Sequence, residues 1–349
     1  MEKIQALRQQ VDEVNEHILQ SLNARAALIK QIRELKDKVS SDYFDPEREE
    51  EMLRNIIEKN EGPLSGKMIG DIFNHIFKVN LEFMGISHEK LPLVSDINKV
   101  KFCTIKEMFN LEKEGPYIIA GPCAIESLEY AEKIAQLLKG NNIKFIRGGA
   151  YKPRTSPYDF QGLGKEGVKI LSHVGKKHNL ITVSEVVDGS EVESVAKHID
   201  MIQIGARNMQ NFELLKRAGA SGKPILLKRG MSATIKEFIF AAEYIALQGN
   251  KKIILCERGI RTFENKTRNT LDISSIPIIK KETQLPIIVD ISHSLGRKDI
   301  IQPIAKAALA VGADGLMVEV HPKPELALSD SRQQLDPEEF QELLGALEA

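Results

Sequence analysis

Cations and potential metal ligands recur at the ends of short apolar runs through the later part of this 349-residue chain. Arg147, Arg207, Lys228 and Arg258 each fall at or within two residues of the end of such a run. Brought together they would repel unless a multiply charged anion sat among them, and guanidinium forks match phosphate and carboxylate oxygens. Each has an alternative partner in a nearby acid such as Glu185 or Glu257, so ion pairing and anion binding both stand at this point. Cys123, His293 and Glu319 offer sulfur, nitrogen and oxygen from three other runs, with Asp330 following in Leu328-Ser329-Asp330-Ser331. Such a set suits Mn, Fe, Co or Zn rather than Ca. The spacing is too dispersed for a metal motif, and on spacing alone a buried thiol and a hydrogen-bonded imidazole are the simpler account. Lys152-Pro153-Arg154-Thr155-Ser156-Pro157-Tyr158 is a loop stiffened by two prolines that presents cations and hydroxyls, either a phosphate cradle or an ordinary turn.

The elements that must position these groups follow from periodicity. Apolar runs fall at Tyr117–Gly121, Lys144–Gly148, Ile181–Glu185, Met201–Gly205, Pro224–Lys228, Ile253–Glu257, Pro286–Asp290 and Gly315–Glu319. Helical patterns separate them, among them Leu128–Leu138, Lys165–His178, Ile235–Gln248 and Asp299–Ala310. This alternation over residues 116–349 predicts an α/β fold, a (β/α)8 barrel, whose active site lies at the carboxyl ends of the strands. A doubly wound open sheet is the rival, but no G-x-G-x-x-G follows the first strand.

Residues 1–88 read differently. Ile4, Leu7, Val11, Val14, Ile18, Leu28, Ile32, Leu35 and Val39 make one seam of a long helix. Asp45-Pro46-Glu47 opens a second helix, and a third runs from about Ser65 to Phe83. Three helices of such unequal length predict an intertwined dimer, hence a homo-oligomer, dimer or tetramer. Residues 89–115 carry a weak pattern, read as a linker with one short strand. Arg25 falls on the apolar seam, with Arg8 and Lys36 flanking it. That is either a pairing-specificity device or an anion contact.

Composition narrows the setting. The chain is 42% hydrophobic and 28% charged with a net charge of −1, so it holds a core but has no general basic field for nucleic acid or an anionic membrane surface. Three dispersed cysteines argue against a disulfide framework. The polar N-terminus is no secretory h-region, and no apolar stretch is long enough for a membrane span, so a cytoplasmic protein is expected.

GPC, RGGAYKPRTSPYDFQGLG, QIGARNMQNFELL, LLKRGM, CERGIRTFE, VDISHS, EVHP and ALSDSRQQL occur in this order through residues 116–335. Together they resemble the 3-deoxy-arabino-heptulosonate 7-phosphate (DAHP) synthases, and residues 1–88 resemble the all-helical chorismate mutase domain fused to some of them. The resemblance implies condensation of phosphoenolpyruvate with erythrose 4-phosphate, releasing phosphate. It implies Cys123, His293, Glu319 and Asp330 as ligands of a divalent metal. Arg147, Lys152, Arg207, Lys228 and Arg258 would hold phosphoenolpyruvate, and Lys152, Pro153, Arg154 and Thr155 would line the sugar-phosphate pocket. Lys152, with cationic neighbours that favour its neutral form, is the candidate for proton transfer. The octulosonate 8-phosphate synthases are the nearest alternative, though an asparagine-bearing loop would be expected there in place of KPRTSPY. A metal-independent phosphosugar-binding barrel is a further one.

For the helical segment the resemblance implies that Arg8, Arg25, Lys36, Asp45, Arg48 and Glu49 contact chorismate or prephenate. A Claisen rearrangement needs only a cationic pocket shaped to a compact dicarboxylate transition state. One departure stands out: Met84 occupies the position where the family places Gln or Glu against the ether oxygen, with Asn80 at the hydroxyl position nearby. The segment is therefore read as a working mutase, as a module that binds chorismate or prephenate to inhibit the barrel, or as both.

Overall fold

Eight short runs of Ile, Leu, Val and Met form a single closed parallel barrel. The computed structural model describes residues 1–39, 46–83, 93–96, 99–154 and 156–348. The strands are β1 (Tyr117–Gly121), β2 (Phe145–Arg147), β3 (Ile181–Val186), β4 (Met201–Ile204), β5 (Ile225–Lys228), β6 (Ile253–Glu257), β7 (Ile287–Asp290) and β8 (Gly315–Glu319). Each pairs with the next, and β8 closes on β1 in a register running from Tyr117↔Gly315 to Gly121↔Glu319. All eight expected runs are strands, displaced by no more than one residue at either end. The (β/α)8 fold expected from the sequence is the fold observed.

Among the described residues the chain forms thirteen α-helices. Three lie in the N-terminal unit: α1 (Glu2–Val39), α2 (Pro46–Glu58) and α3 (Gly66–Phe83). The rest are α4 (Ile105–Phe109), α5 (Leu128–Gly140), α6 (Lys165–His178), α7 (Val192–Ala196), α8 (Phe212–Ala220), α9 (Ile235–Ala246), α10 (Ser275–Glu282), α11 (Ile291–Leu295), α12 (Ile301–Ala310) and α13 (Pro337–Glu348). Their starts follow local chemistry. Thr234 caps α9 in a reciprocal bond with Glu237, Asn211 caps α8, and Asn179 ends α6 in the left-handed conformation.

Strand alternation splits the core in two. Outward residues such as Ile146, Ile202, Leu227, Leu255, Val289 and Val318 pack under the helices. Inward residues Ile119, Phe145, Val183, Met201, Leu226, Ile254, Ile288 and Met317 fill the lower barrel. The stretch read as a linker with a strand carries no strand among its described residues. It folds against the barrel: Val94 and Phe102 are buried, and the N–H groups of Leu93 and Val94 donate to Glu243 at 2.9 and 3.3 Å. Helix α4, opened by a capping box between Thr104 and Glu107, carries Ile105 and Phe109 against the inward residues. Phe109 meets Phe145 edge-on at 5.1 Å. The base of the barrel is thus sealed by aromatic packing, leaving the other end for chemistry.

The chain divides into two compact units, Met1–Leu91 and Pro92–Ala349. In the first, α2 and α3 pack together with Ile57 seated over Gly66 and Gly70. Helix α1, 38 residues long, leaves its seam open: Ile4, Val11, Ile18 and Leu35 are 58%, 58%, 51% and 62% exposed. No helix among the described residues is long and apolar enough to cross a membrane.

Candidate active site

Moving up each strand by two residues changes the barrel lining from apolar to ionisable. Above Phe145 sits Arg147, above Val183 sits Glu185, above Leu226 sits Lys228, above Ile288 sits Asp290, and above Met317 sits Glu319. All five are buried. The same alternation sends neighbouring charges the other way. Arg229 pairs at 2.8 Å with both Glu257 and Asp272, apart from the inward set.

One of them, Glu319, converges with three groups that lie just beyond the strand ends. One ligand-capable atom from each of Cys123, His293, Glu319 and Asp330 lies within 4.8 Å of the others. Closure of β8 on β1 brings Cys123 and Glu319 together. The Asp290 carboxylate caps α11, accepting from the His293 N–H at 2.9 Å, and lies 2.8 Å from His293 Nδ1. That leaves Nε2 facing Glu319 and Asp330 at 3.5 and 3.6 Å. Asp330 sits at a positive φ of 49°, the left-handed region that Asp and Asn adopt more readily than other non-glycine residues.

The electrostatics agree with ligation. Burial and then the Glu319 carboxylate push the Cys123 thiol up to about 11. Burial also lowers His293, favouring the neutral imidazole that can donate a lone pair. Burial would raise Glu319 and Asp330, but in the acid range where they titrate the protonated form of His293, with Arg147 and Lys152 at Glu319 and Arg268 and Lys152 at Asp330, outweighs it and holds Glu319 below the usual carboxylate range and Asp330 well below it. Two carboxylates, a neutral imidazole and a thiol that ionises only with compensation fit a divalent cation of the borderline class.

Beside this group lies a cavity of about 360 Å³ with a strong cationic bias. Its walls include Arg147, Lys152, Arg154, Arg207, Lys228, Arg258, Arg261 and Arg268 against Asp159, Glu185 and Asp330. The four cations read from the strand ends divide evenly. Arg147 bonds Glu319 Oε1 at 2.7 Å, and Lys228 bonds Asp290. Among the described residues no carboxylate pairs with Arg207 or Arg258. Burial, and after it the neighbouring Arg268, lower the Arg258 guanidinium against the opposing pull of the Asp290 carboxylate. Neither acid expected as a partner serves as one: Glu185 takes a 3.3 Å bond from Gln203, and Glu257 belongs to Arg229.

Lys152 reaches into this group of potential ligands, its Nζ donating to Cys123 O at 3.0 Å and Sγ at 3.1 Å. Arg154 bonds the Ser329 hydroxyl, which lies 3.0 Å from Cys123 Sγ. Pro153 lines the cavity beside them, and Thr155 lies outside the described residues. Arg261, Arg268, Ser329, Gln333 and Gln334 carry no role assignable from the sequence, although all but Arg268 fall within the motifs CERGIRTFE and ALSDSRQQL. They sit in loops without periodicity, and only the fold brings them to the strand ends.

The positions singled out in the helical unit are less gathered. Arg25 is half-buried with its guanidinium 4.9 Å from the Phe77 ring centre, while Arg8 and Arg48 are exposed. Asn80 is buried and donates to Ile76 O at 2.6 Å. Asp45, Met84 and the side chains of Lys36 and Glu49 lie outside the described residues. Arg8 and Arg25 stand about 25 Å apart along α1 at the α-helical rise, too far for both to grip one small ligand within a chain.

Comparison with known proteins supplies independent evidence. Residues 104–348 match the DAHP synthetase I family, and residues 7–84 match chorismate mutase type II. A phospho-2-dehydro-3-deoxyheptonate aldolase of Thermotoga maritima is 58% identical over 227 residues, 65% of this chain and 67% of that protein. A 2-dehydro-3-deoxyphosphooctonate aldolase of Desulfotalea psychrophila is 31% identical over 248 residues, 66% of this chain and 88% of that one. Among solved structures, a DAHP synthase from Thermotoga maritima aligns with a TM-score of 0.71 at 51% identity, covering 75% of this chain and 78% of that chain. A truncated form of the 3-deoxy-D-arabino-heptulosonate 7-phosphate synthase from the same organism gives 0.62 at 52% identity, covering 66% and 85%.

Proposed function

The chain belongs to the DAHP synthetase I family, and we propose that its barrel condenses phosphoenolpyruvate with D-erythrose 4-phosphate and water to give DAHP and inorganic phosphate. The observation that carries this reading is the cation-lined cavity lying directly against four ligand atoms within 4.8 Å of one another. A donor with a carboxylate and a phosphate matches the first, and an aldehyde oxygen that needs an electrophile matches the second.

Arg147, Lys152, Arg207, Lys228 and Arg258 hold the donor by its two anionic groups, orienting C3 toward the aldehyde carbon. The new C–C bond forms between these carbons, and the aldehyde oxygen takes a proton, which Lys152 is placed to deliver. Water adds at C2, the C2–O bond to phosphate breaks, and C2 becomes the ketone. The surrounding guanidinium groups stabilise the leaving phosphate. Pro153 and Arg154 line the pocket of the four-carbon sugar phosphate, to which the resemblance also assigns Thr155. A divalent ion, Mn, Fe, Co or Zn, held by Cys123, His293, Glu319 and Asp330 supplies Lewis acidity at the aldehyde oxygen.

Residues 1–88 form the mutase-like domain, which converts chorismate to prephenate, senses either as a feedback inhibitor of the barrel, or does both. The separation of Arg8 from Arg25 and the uncovered seam of α1 support a site shared between two copies, and hence a homo-oligomer, dimer or tetramer. The chain acts in the cytoplasm on small anionic molecules, without nucleic acid or membrane.

Two measurements test this function. Phosphoenolpyruvate consumption should be faster with erythrose 4-phosphate than with arabinose 5-phosphate by at least about 100-fold in kcat/KM, the discrimination that a site hydrogen-bonded to one sugar attains. A preference for the five-carbon sugar overturns the assignment in favour of the octulosonate enzymes. For the helical domain, Met84→Gln in the full chain should raise prephenate formation at least about tenfold by restoring a donor at the ether oxygen. Undetectable turnover in both proteins, with chorismate binding retained, leaves a sensor and removes the mutase.

A further inference from the structure

The four candidate ligands come from three strand ends and a separate loop, so their convergence needs a device beyond the barrel itself. Two adjacent buried amides are placed to provide it. Gln333 donates from Nε2 to Glu319 Oε2 at 2.6 Å and accepts from Arg268 at its Oε1 at 2.7 Å. Arg268 in turn lies 3.1 Å from Asp330 Oδ2. Gln334 accepts from the Cys123 N–H at its Oε1 at 2.9 Å and donates from Nε2 to Ser329 O at 2.8 Å. Each amide meets a partner that can only accept and one that can only donate, so its orientation is fixed. The pair is 4% and 0% exposed. Leu335, next in the chain, anchors both through backbone bonds to Glu319 O and from the His321 N–H at 2.9 Å each.

We propose that Gln333 and Gln334 are positioning residues of the metal group, setting the spacing of its ligands from opposite sides. Gln333 occupies Glu319 Oε2, leaving Oε1 toward His293. Through Arg268 it also links Glu319 to Asp330. Gln334 ties the end of β1, which carries Cys123, to the carbonyl of the residue before Asp330. No comparable tie is needed for His293, which Asp290 holds. Neither amide touches the cavity, and so neither is a catalytic residue. Outer hydrogen bonds of this kind typically alter metal affinity by about 10- to 100-fold.

The inference rests on the metal reading, and Co(II) separates the two. Affinity is measured by competition with a chromophoric chelator, and the thiolate-to-cobalt absorption band reports Cys123 ligation. Gln333→Leu removes both of its bonds, and Gln333→Glu keeps the bond from Arg268 while setting a carboxylate against Glu319. Gln334→Leu releases Cys123 from the Ser329 loop. Each is expected to weaken Co(II) binding about 10- to 100-fold and to shift or diminish the band. Leu343→Ala, a buried site on α13 away from the ligands, controls for lost stability and should leave affinity and band unchanged. Glutamine variants that bind Co(II) within twofold of the unmodified chain, or a control that weakens binding equally, overturn the positioning role and leave the metal reading intact. No stoichiometric Co(II) uptake by the unmodified chain overturns both.

Discussion

Exhaustive chelation is expected to abolish DAHP formation, with at least about a thousandfold loss of kcat, because the aldehyde loses its Lewis acid in a cavity built around that charge. Adding back Mn, Fe, Co or Zn should restore it, and each ion loaded at neutral pH should release about one proton. The sign follows from the metal-free thiol. Cys123 is pushed up to about 11, so at pH 7 to 9 it is protonated until an ion displaces the proton. His293, lowered by burial, is already neutral there and adds none. Metal affinity should therefore rise about tenfold per pH unit over this window and flatten as the thiol ionises. Full synthase activity after verified metal removal would falsify the ligand assignment. Metal uptake without proton release would exclude Cys123 alone.

Lys152→Met carries the second large effect. Its Nζ touches the Cys123 thiol and carbonyl at 3.1 and 3.0 Å and lines the cavity, bridging the cationic pocket and the four potential ligands. Removing a proton donor from that position should lower kcat by about 10² to 10⁴. KM for phosphoenolpyruvate should rise far less, because the other four cations still hold its two anionic groups. A loss confined to KM, with kcat kept, would make Lys152 a binding group and move proton delivery to another residue.

Much of the barrel was legible in the chain because a buried parallel strand must be apolar on both faces, and the run ends where the interior stops. The residue at each run's end is therefore at the top of the barrel. Arg147, Lys228, His293 and Glu319 could be read as a cluster before any fold was in hand. The same rule could not tell Lys228 from Arg229. They are adjacent, but one points inward to Asp290 and the other outward to Glu257 and Asp272. The stretch before β1 was illegible for a related reason: Val94, Phe102 and Ile105 are too sparsely spaced to show a period, and their burial comes from the barrel they cover.

By itself the sequence determined the element order, the end of the barrel that would react, and the residue types able to bind anions and a borderline cation. Those depend on local periodicity and on side-chain chemistry, which each residue carries with it. Tertiary structure alone decided which charges neutralise one another: among the described residues Arg258 has no ion-paired carboxylate, while Arg147 and Lys228 have theirs. It also decided that a loop carrying Ser329, Asp330, Gln333 and Gln334 lies against the end of β1. Closure of β8 on β1 sets that contact across some two hundred residues of chain, and no local pattern encodes a distance that only the closed barrel makes short.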